Sequence, residues 1–523
     1  MFNCALLVLL AVGLVSCGDK GTGPSPLEQA QTDREILVAL YHAADGPNWK
    51  SQRNWLTSND LSTWHGVTVA NGRVTHLMLY YNGLSGEIPA ELGRLSSLTK
   101  LDLSGNNLSG EIPAELGNLT NLTYLNLTYN RNFGRNGLSG EVPTELANLS
   151  KLRLLHLSAN RLSGEIPAEL GNLTSLTSLR LFYNNLSGEI PTELGNLTNL
   201  RTLMLHQNNL SGEIPTELGN LTNLTKLWLL RNDLSGEIPA ELGNLTNLRS
   251  LMLGSNDLSG EIPAKLGNLT NLTMLSLGGN ELSGAIPAEL GNLTNLTELW
   301  LEGNNLSEMI PAELGRLSNL RLLRLSDNNL LGAIPAELGN LTDLTDLGLS
   351  DNNLSGMIPT ELDRLANLVS LVLSDNNLSG EIPDELSNLV NLRRLWLAGN
   401  GLSGAIPAEL GNLTSLKELW LADNNLSGVI PAELGNLADL TELFLSDNDL
   451  SGEIPGELGR LANLTELELF SNPSLTGPLP QRLTDLSELR TLRFEDTGLC
   501  APLDADFQTW LDGVNHVRGS DCQ

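Results

Sequence analysis

Leucine recurs on a fixed lattice through most of the chain. A block such as Leu98-Thr-Lys-Leu101-Asp-Leu103-Ser-Gly-Asn106-Asn-Leu108 runs into Ser-Gly-Glu-Ile-Pro, and the unit returns every 24 residues from Leu162 to Leu450. Leu101 and Leu103 alternate with Asp102, which predicts a short strand with two leucines inward and the residue between them outward. One unit cannot bury its leucines alone. Neighbouring units must therefore stack into a parallel sheet over a shared core. The Asn at each turn (Asn82, Asn106, Asn130 through Asn472) is expected to hydrogen-bond backbone groups of the bend. The Ile-Pro step forbids regular helix on the far side and favours extended and 3₁₀ turns. The L-S-G-x-I-P motif and its variants begin at Leu84, Leu108 and Leu138, then follow the 24-residue period, and end at Leu475, which makes seventeen copies. The unit at Leu125 is thirty residues long, with six extra residues at 131–136 that carry Arg131, Phe133 and Arg135.

The L-x-x-L-x-L-x-x-N-x-L segment with its L-S-G-x-I-P extension resembles the plant-type subclass of leucine-rich repeats, over about 80% of the chain. That resemblance implies an α/β, right-handed solenoid. It would have a concave parallel β-sheet of about 18 short strands, a convex side of 3₁₀ and extended turns, a second short sheet, and helical caps. Trp64-His-Gly-Val-Thr-Val69 is similar to the N-terminal cap of plant receptor-like proteins, without the cysteines that flank it there. Thr32-Asp-Arg-Glu35 has the form of a capping box opening a helix through Ile36, Leu37, Leu40 and Ala43. Phe507, Trp510, Leu511 and Val514 predict a short helix over the last coil. The expected organisation is a signal peptide at 1–16, a flexible tether at 17–27, an N-terminal cap at 28–73, repeats at 74–498 and a C-terminal cap at 499–523.

Residues Ala5 to Val15 have the length of a signal-peptide core. Leu14-Val15-Ser16-Cys17 resembles the processing box of bacterial exported lipoproteins, which implies lipidation of Cys17. Met1-Phe2-Asn3 lacks the usual basic residue, and an ordinary secretory peptide is the alternative; both predict export. The stretch Gly18 to Pro26 is Gly-, Pro- and Ser-rich, as tethers are. No cysteine lies between Cys17 and Cys500. Two cysteines alone at the end of an exported chain, Cys500 and Cys522, read as a disulfide.

Charge narrows the function. Thirty basic against 61 acidic residues leave a net charge of −31, which argues against nucleic-acid binding. The Glu of Ser-Gly-Glu and the Glu of Pro-x-Glu-Leu supply 25 of those acids, so much of the charge is a solubilising surface lane written into the repeat. The six histidines are scattered, and neither a phosphate loop nor a metal-ligand spacing is present. No cofactor, no metal and no enzymatic activity are expected. Membrane contact is expected only through the lipid anchor.

Twelve of the 21 aromatic residues fall on strand positions that face outward on the concave side. Exposed aromatics concentrate on binding surfaces. Trp396, Trp420 and Phe444 share one position in three consecutive repeats. Trp300 lies four repeats before Trp396, and Trp228 three before that. Arg394, Glu418, Glu442, Asp423 and Asp447 are expected to border the cluster. A second patch comprises Tyr80, Tyr81, Tyr124, Tyr129, Phe182 and Tyr183. The leading expectation is a monomeric, extracytoplasmic recognition protein that binds a protein, peptide or glycan on its concave face. A structural envelope spacer or adhesin, and an inhibitor of a secreted enzyme, are the alternatives.

Overall fold

The computed structural model describes residues 26–130 and 137–523. The expected signal peptide, Cys17, most of the expected tether and the insertion at 131–136 lie outside the described residues.

Each repeat contributes a three-residue strand, such as Lys100–Asp102 or Arg394–Trp396, to one long concave sheet. Eighteen such strands run parallel in strict register, Leu395 pairing with Leu419 and Leu419 with Leu443. The caps extend this sheet to twenty strands. At one end β1 (Val67–Ala70) pairs antiparallel with β2 (Arg73–Met78), the first repeat strand. At the other, His516–Arg518 adds parallel to Thr491–Arg493. Behind the strands every leucine of the lattice is buried, so that the core is a continuous column of aliphatic side chains.

The Asn ladder forms and does more than close its own bend. Asn256 Nδ2 donates to Leu253 O (2.8 Å) in its own coil and to Leu229 O (3.2 Å) in the preceding one. Its Oδ1 accepts from Leu234 N at 3.1 Å. A single buried amide thus satisfies backbone groups of two coils and staples them together.

Past the ladder the Ser-Gly-Glu segments form a second, convex-side set of short strands: ten from Ser85–Glu87 to Asn305–Ser307, then eight from Leu331–Gly332 to Gly498–Cys500. Each Ile-Pro step leads into a 3₁₀ turn, such as Ala114–Asn118 after Pro113, where the fixed φ of proline starts the turn and its missing N–H leaves no donor unpaired.

The N-terminal helix differs from its expected form. α1 spans Pro26–Ala43, beginning six residues before Thr32, so the Thr32–Glu35 tetrapeptide lies inside the helix and is not its capping box. Asp33 is fully buried; its carboxylate accepts from Arg73 Nε (3.0 Å) and Val74 N (2.9 Å), locking the helix to β2. The acid that looked like a helix-start signal is a tertiary tie. Trp49, Trp55 and Trp64 close the cap as a buried ring cluster, with centroids 4.8 and 4.9 Å apart. At the far end α2 (Ala505–Leu511) is capped by Asp504, packs Phe507 into the core, and stops before Val514, which is buried beyond it. Cys500 and Cys522 are bonded to each other.

Candidate functional site

The concave strands end on one outward position that runs as a lane through the molecule: Trp228, Met252, Ser276, Trp300, Arg324, Gly348, Val372, Trp396, Trp420, Phe444, Glu468. The register thereby places Trp396, Trp420 and Phe444 side by side, with Trp300 four strands away and Trp228 three further. The Trp396 and Trp420 rings lie face to face, with centroids 3.9 Å apart and planes 1° from parallel. Phe444 continues the stack at 5.3 Å.

The polar edges of these rings are fixed by the neighbouring lane. Trp396 Nε1 donates to Glu418 Oε2 and Trp420 Nε1 to Glu442 Oε2, each at 3.0 Å. Arg394 reaches the same Glu418 oxygen at 3.5 Å. Burial pushes the Glu442 carboxyl up, the Trp420 N–H opposes it, and the carboxylates of Glu418 and Glu466 raise it further. All three rings are half-buried. Because they stack on one another, their faces are largely occupied, and a ligand entering the concavity meets ring edges rather than an open ring face.

Asp423 and Asp447 follow Trp420 and Phe444 by three residues. They stand past the strand, with Ala422 and Ser446 between them and the rings, in a column whose backbone is left-handed: φ is 52° at Asp423, 53° at Asp447, and 54–57° at Asp327, Asp351 and Asp375. Asp, Asn and Gly tolerate this conformation best, but the same column also holds Tyr129, Ala159, Tyr183, Gln207, Arg231 and Ser255 at positive φ, so the backbone admits aspartate there without requiring it.

Trp300 and Trp228 are separate from the stack. Trp300 donates to Glu298 Oε2 (3.1 Å) with the Arg324 guanidinium 5.9 Å from its ring; Trp228 donates to Ser250 Oγ (2.8 Å) with Lys226 Nζ at 5.4 Å. The expected tyrosine patch divides into three. Tyr124 is half-buried and its hydroxyl donates to Asp102 Oδ2 (2.9 Å), a structural role. Phe182 stacks on His206 at 4.5 Å, 9° from parallel, and His206 meets Trp228 edge-on at 5.5 Å. Tyr81, Tyr129 and Tyr183 are exposed and, like the aspartates, sit at positive φ (51°, 58° and 56°), beside an exposed Tyr80.

His206 and His156 were not anticipated as part of this surface. Burial holds both imidazoles down at about 4, with Arg231 beside His206 and Arg180 beside His156 lowering them further and Asp102 weakly opposing at His156. Both are neutral at physiological pH. The signal was available: His206 is 24 residues after Phe182, one repeat on in the same lane.

Comparison with known proteins bears on the fold and the surface together. Family models described as a leucine-rich repeat region match residues 136–260 and 216–330, and further leucine-rich-repeat models match 97–119, 342–402, 390–434 and 414–474. A solved structure of the plant peptide hormone receptor RGFR1 in complex with RGF2 superposes with a TM-score of 0.76 at 38% identity, covering 84% of this chain and 72% of that one. The PEPR1–AtPEP1 complex gives 0.66 at 32% identity, covering 94% and 82%. A leucine-rich-repeat protein of Leptospira interrogans gives 0.57 at 35% identity, covering 74% and 92%. A search of curated protein sequences gives no match.

Proposed function

The chain belongs to the leucine-rich repeat family, in its plant-type subclass, and we propose that it is an extracytoplasmic recognition protein whose concave sheet binds a peptide or an extended protein segment. The observation that carries this reading is the Trp396–Trp420–Phe444 stack. Two indoles held by hydrogen bonds to carboxylates, and a phenyl ring stacked on them, share one lane on the hollow side of a solenoid whose core is built mainly from leucine and isoleucine. Fixed aromatic anchors with a charged border are the usual form of a binding hot spot. Ring edges beside Glu418, Glu442 and Arg394 suit a peptide's apolar side chains and backbone N–H groups better than the flat face of a sugar. The peptide hormone receptor complex among the structural relatives supports the same ligand class.

The test is selection of binders from a random peptide library on the full chain, followed by affinity and melting measurements on Trp396→Ala, Trp420→Ala and Phe444→Ala. Loss of one anchor is expected to weaken binding about thirtyfold, near 2 kcal/mol, with a smaller effect on melting. Unchanged affinity in all three variants would place the site elsewhere. A loss of stability with no loss of binding would make the rings structural cover. Anchoring of the exported chain through a lipid on Cys17 belongs to the same proposal; palmitate labelling that persists in Cys17→Ser would refute it.

A further inference from the structure

Charge on the concave face is segregated in a way that the overall acidity hides. The five concave segments at 150–160, 174–184, 198–208, 222–232 and 246–256 carry seven basic residues and no acidic one. The eight segments from 294–304 to 462–472 carry fourteen acidic residues and five basic ones. In a chain of net charge −31 a stretch of five coils without a single concave carboxylate is a distinct sector.

Its arrangement is regular. Backbone hydrogen bonds from Thr177 N to Arg153 O, Arg201 N to Thr177 O, Thr225 N to Arg201 O and Arg249 N to Thr225 O put Arg153, Arg201 and Arg249 in one lane, two strands apart each time. The intervening Thr177 and Thr225 turn their hydroxyls onto the carbonyls of Arg153 and Arg201 (2.9 and 2.8 Å), which pins the arginine rungs and leaves the guanidinium groups standing exposed. Arg153 and Arg201, with Asn199 and Asn223, line a shallow groove of about 630 Å³. None of these three arginines forms an ion pair among the described residues. Two buried polar atoms of the same sector, Arg180 Nε and His206 Nδ1, have no hydrogen-bond partner. The Phe182 ring is stacked on one face by His206.

We propose that this basic sector binds an acidic peptide segment in the polyproline II conformation, with a carboxylate at every third residue. Two strand spacings put successive arginines about 9.6 Å apart. Three residues of polyproline II advance about 9.3 Å and return the side chain to the same face. A β-strand returns to one face after two or four residues, about 6.8 or 13.6 Å, and misses the spacing. The inference rests on the concave face being a peptide-binding surface. It concerns a different stretch of it, for the strand of Arg249 lies six strands, about 29 Å, from that of Trp396.

The experiment uses the full chain and fluorescent twelve-residue peptides: (Glu-Pro-Pro)4, the same composition rearranged as (Glu-Glu-Pro-Pro-Pro-Pro)2, (Lys-Pro-Pro)4, and an oligogalacturonate of equal charge. The period-three acidic peptide is expected to bind and to weaken steeply with salt. It should lose at least about tenfold in affinity in Arg201→Ala and in Arg249→Ala, with circular dichroism unchanged, while Trp420→Ala binds it as wild type does. No binding, equal affinity for the rearranged peptide, binding of the lysine peptide, preference for the oligogalacturonate, or wild-type affinity in both arginine variants would each overturn the proposal. Loss of binding in Trp420→Ala would assign the peptide to the aromatic stack instead, whereas failure of the library-selected ligands at that stack would leave the result for the arginine lane intact.

Discussion

At the scale of single residues, the left-handed backbone positions decide what can stand where. In the convex-side strands the second residue after the leucine is glycine in almost every repeat, with φ of 74° at Gly284 and 78° at Gly332. Between these two the sequence places Glu308, at φ 65°. A side chain there costs roughly 1–2 kcal/mol in local strain, partly offset by the lower unfolded-state entropy of a non-glycine residue. The convex sheet is interrupted here: the ten-stranded part ends at Ser307 and the eight-stranded part begins at Leu331, with an isolated Met309–Leu331 bridge and a hydrogen bond from Asn329 N to Leu306 O (2.8 Å) between them. Glu308→Gly is therefore expected to stabilise the chain by about 0.5–1 kcal/mol, read as a higher midpoint in urea unfolding; a lower midpoint would show that the glutamate is held by compensating contacts. Asp423 and Asp447 share one column by sequence count, whereas the left-handed backbone of that column is not displayed by any single-sequence pattern. Trp396, Trp420 and Phe444 were legible because they share a register position. Their mutual stacking and their bonds to Glu418 and Glu442 were not, since those depend on rotamers.

At the scale of elements, the period carried nearly all the information. A 24-residue repeat with two inward leucines, an Asn and an Ile-Pro step leaves one way to satisfy backbone and core together, and strands, ladder and 3₁₀ turns followed. The caps are where periodicity stops, and there local signals were weaker. Thr32 to Glu35 has the letters of a capping box, yet Asp33 is buried against Arg73 and Val74, a pairing set by tertiary structure across forty residues. The C-terminal pairing was legible because Cys500 and Cys522 are the only cysteines after Cys17. With Cys500 and Cys522 separated by 22 residues, closing that loop is worth about 3 kcal/mol in the chain-entropy model. Replacing both by serine is expected to raise amide exchange first in α2 and in the strands Thr491–Arg493 and His516–Arg518, because solenoid contacts run only between neighbours. Exchange that rises equally along the whole chain would mean that the solenoid unfolds as one cooperative unit.

At the scale of the whole molecule, the two halves of the concave face are expected to respond to acid in opposite senses. The histidines shifted downward, His76, His156 and His206, all lie in the N-terminal half, and burial is the first cause in each. Their folded state resists protonation, so as pH falls from about 6.5 toward about 4 the unfolded chain takes up protons first and stability is lost. The upper bound for His156 is about 3 kcal/mol, and His206, more open to solvent, contributes less. The carboxyls shifted upward, Glu302, Asp346, Asp375, Glu442 and Glu468, all lie in the C-terminal half, again with burial as the first cause. Their folded state accepts protons before the unfolded chain does, so acidification toward the ordinary carboxylate range relieves a desolvation penalty and adds stability there. A solenoid held by nearest-neighbour contacts can register both effects at once, in different places. Amide exchange at pH 7 and pH 5, corrected for intrinsic rates, is expected to show the strands from Leu154–His156 to Thr202–Met204 losing protection relative to those from Glu418–Trp420 to Glu466–Glu468. The double variant His156→Gln, His206→Gln should flatten the loss in the first group and leave the second unchanged. Uniform loosening on acidification, or earlier loosening of the C-terminal strands, would show that local burial of these groups does not govern the response to pH.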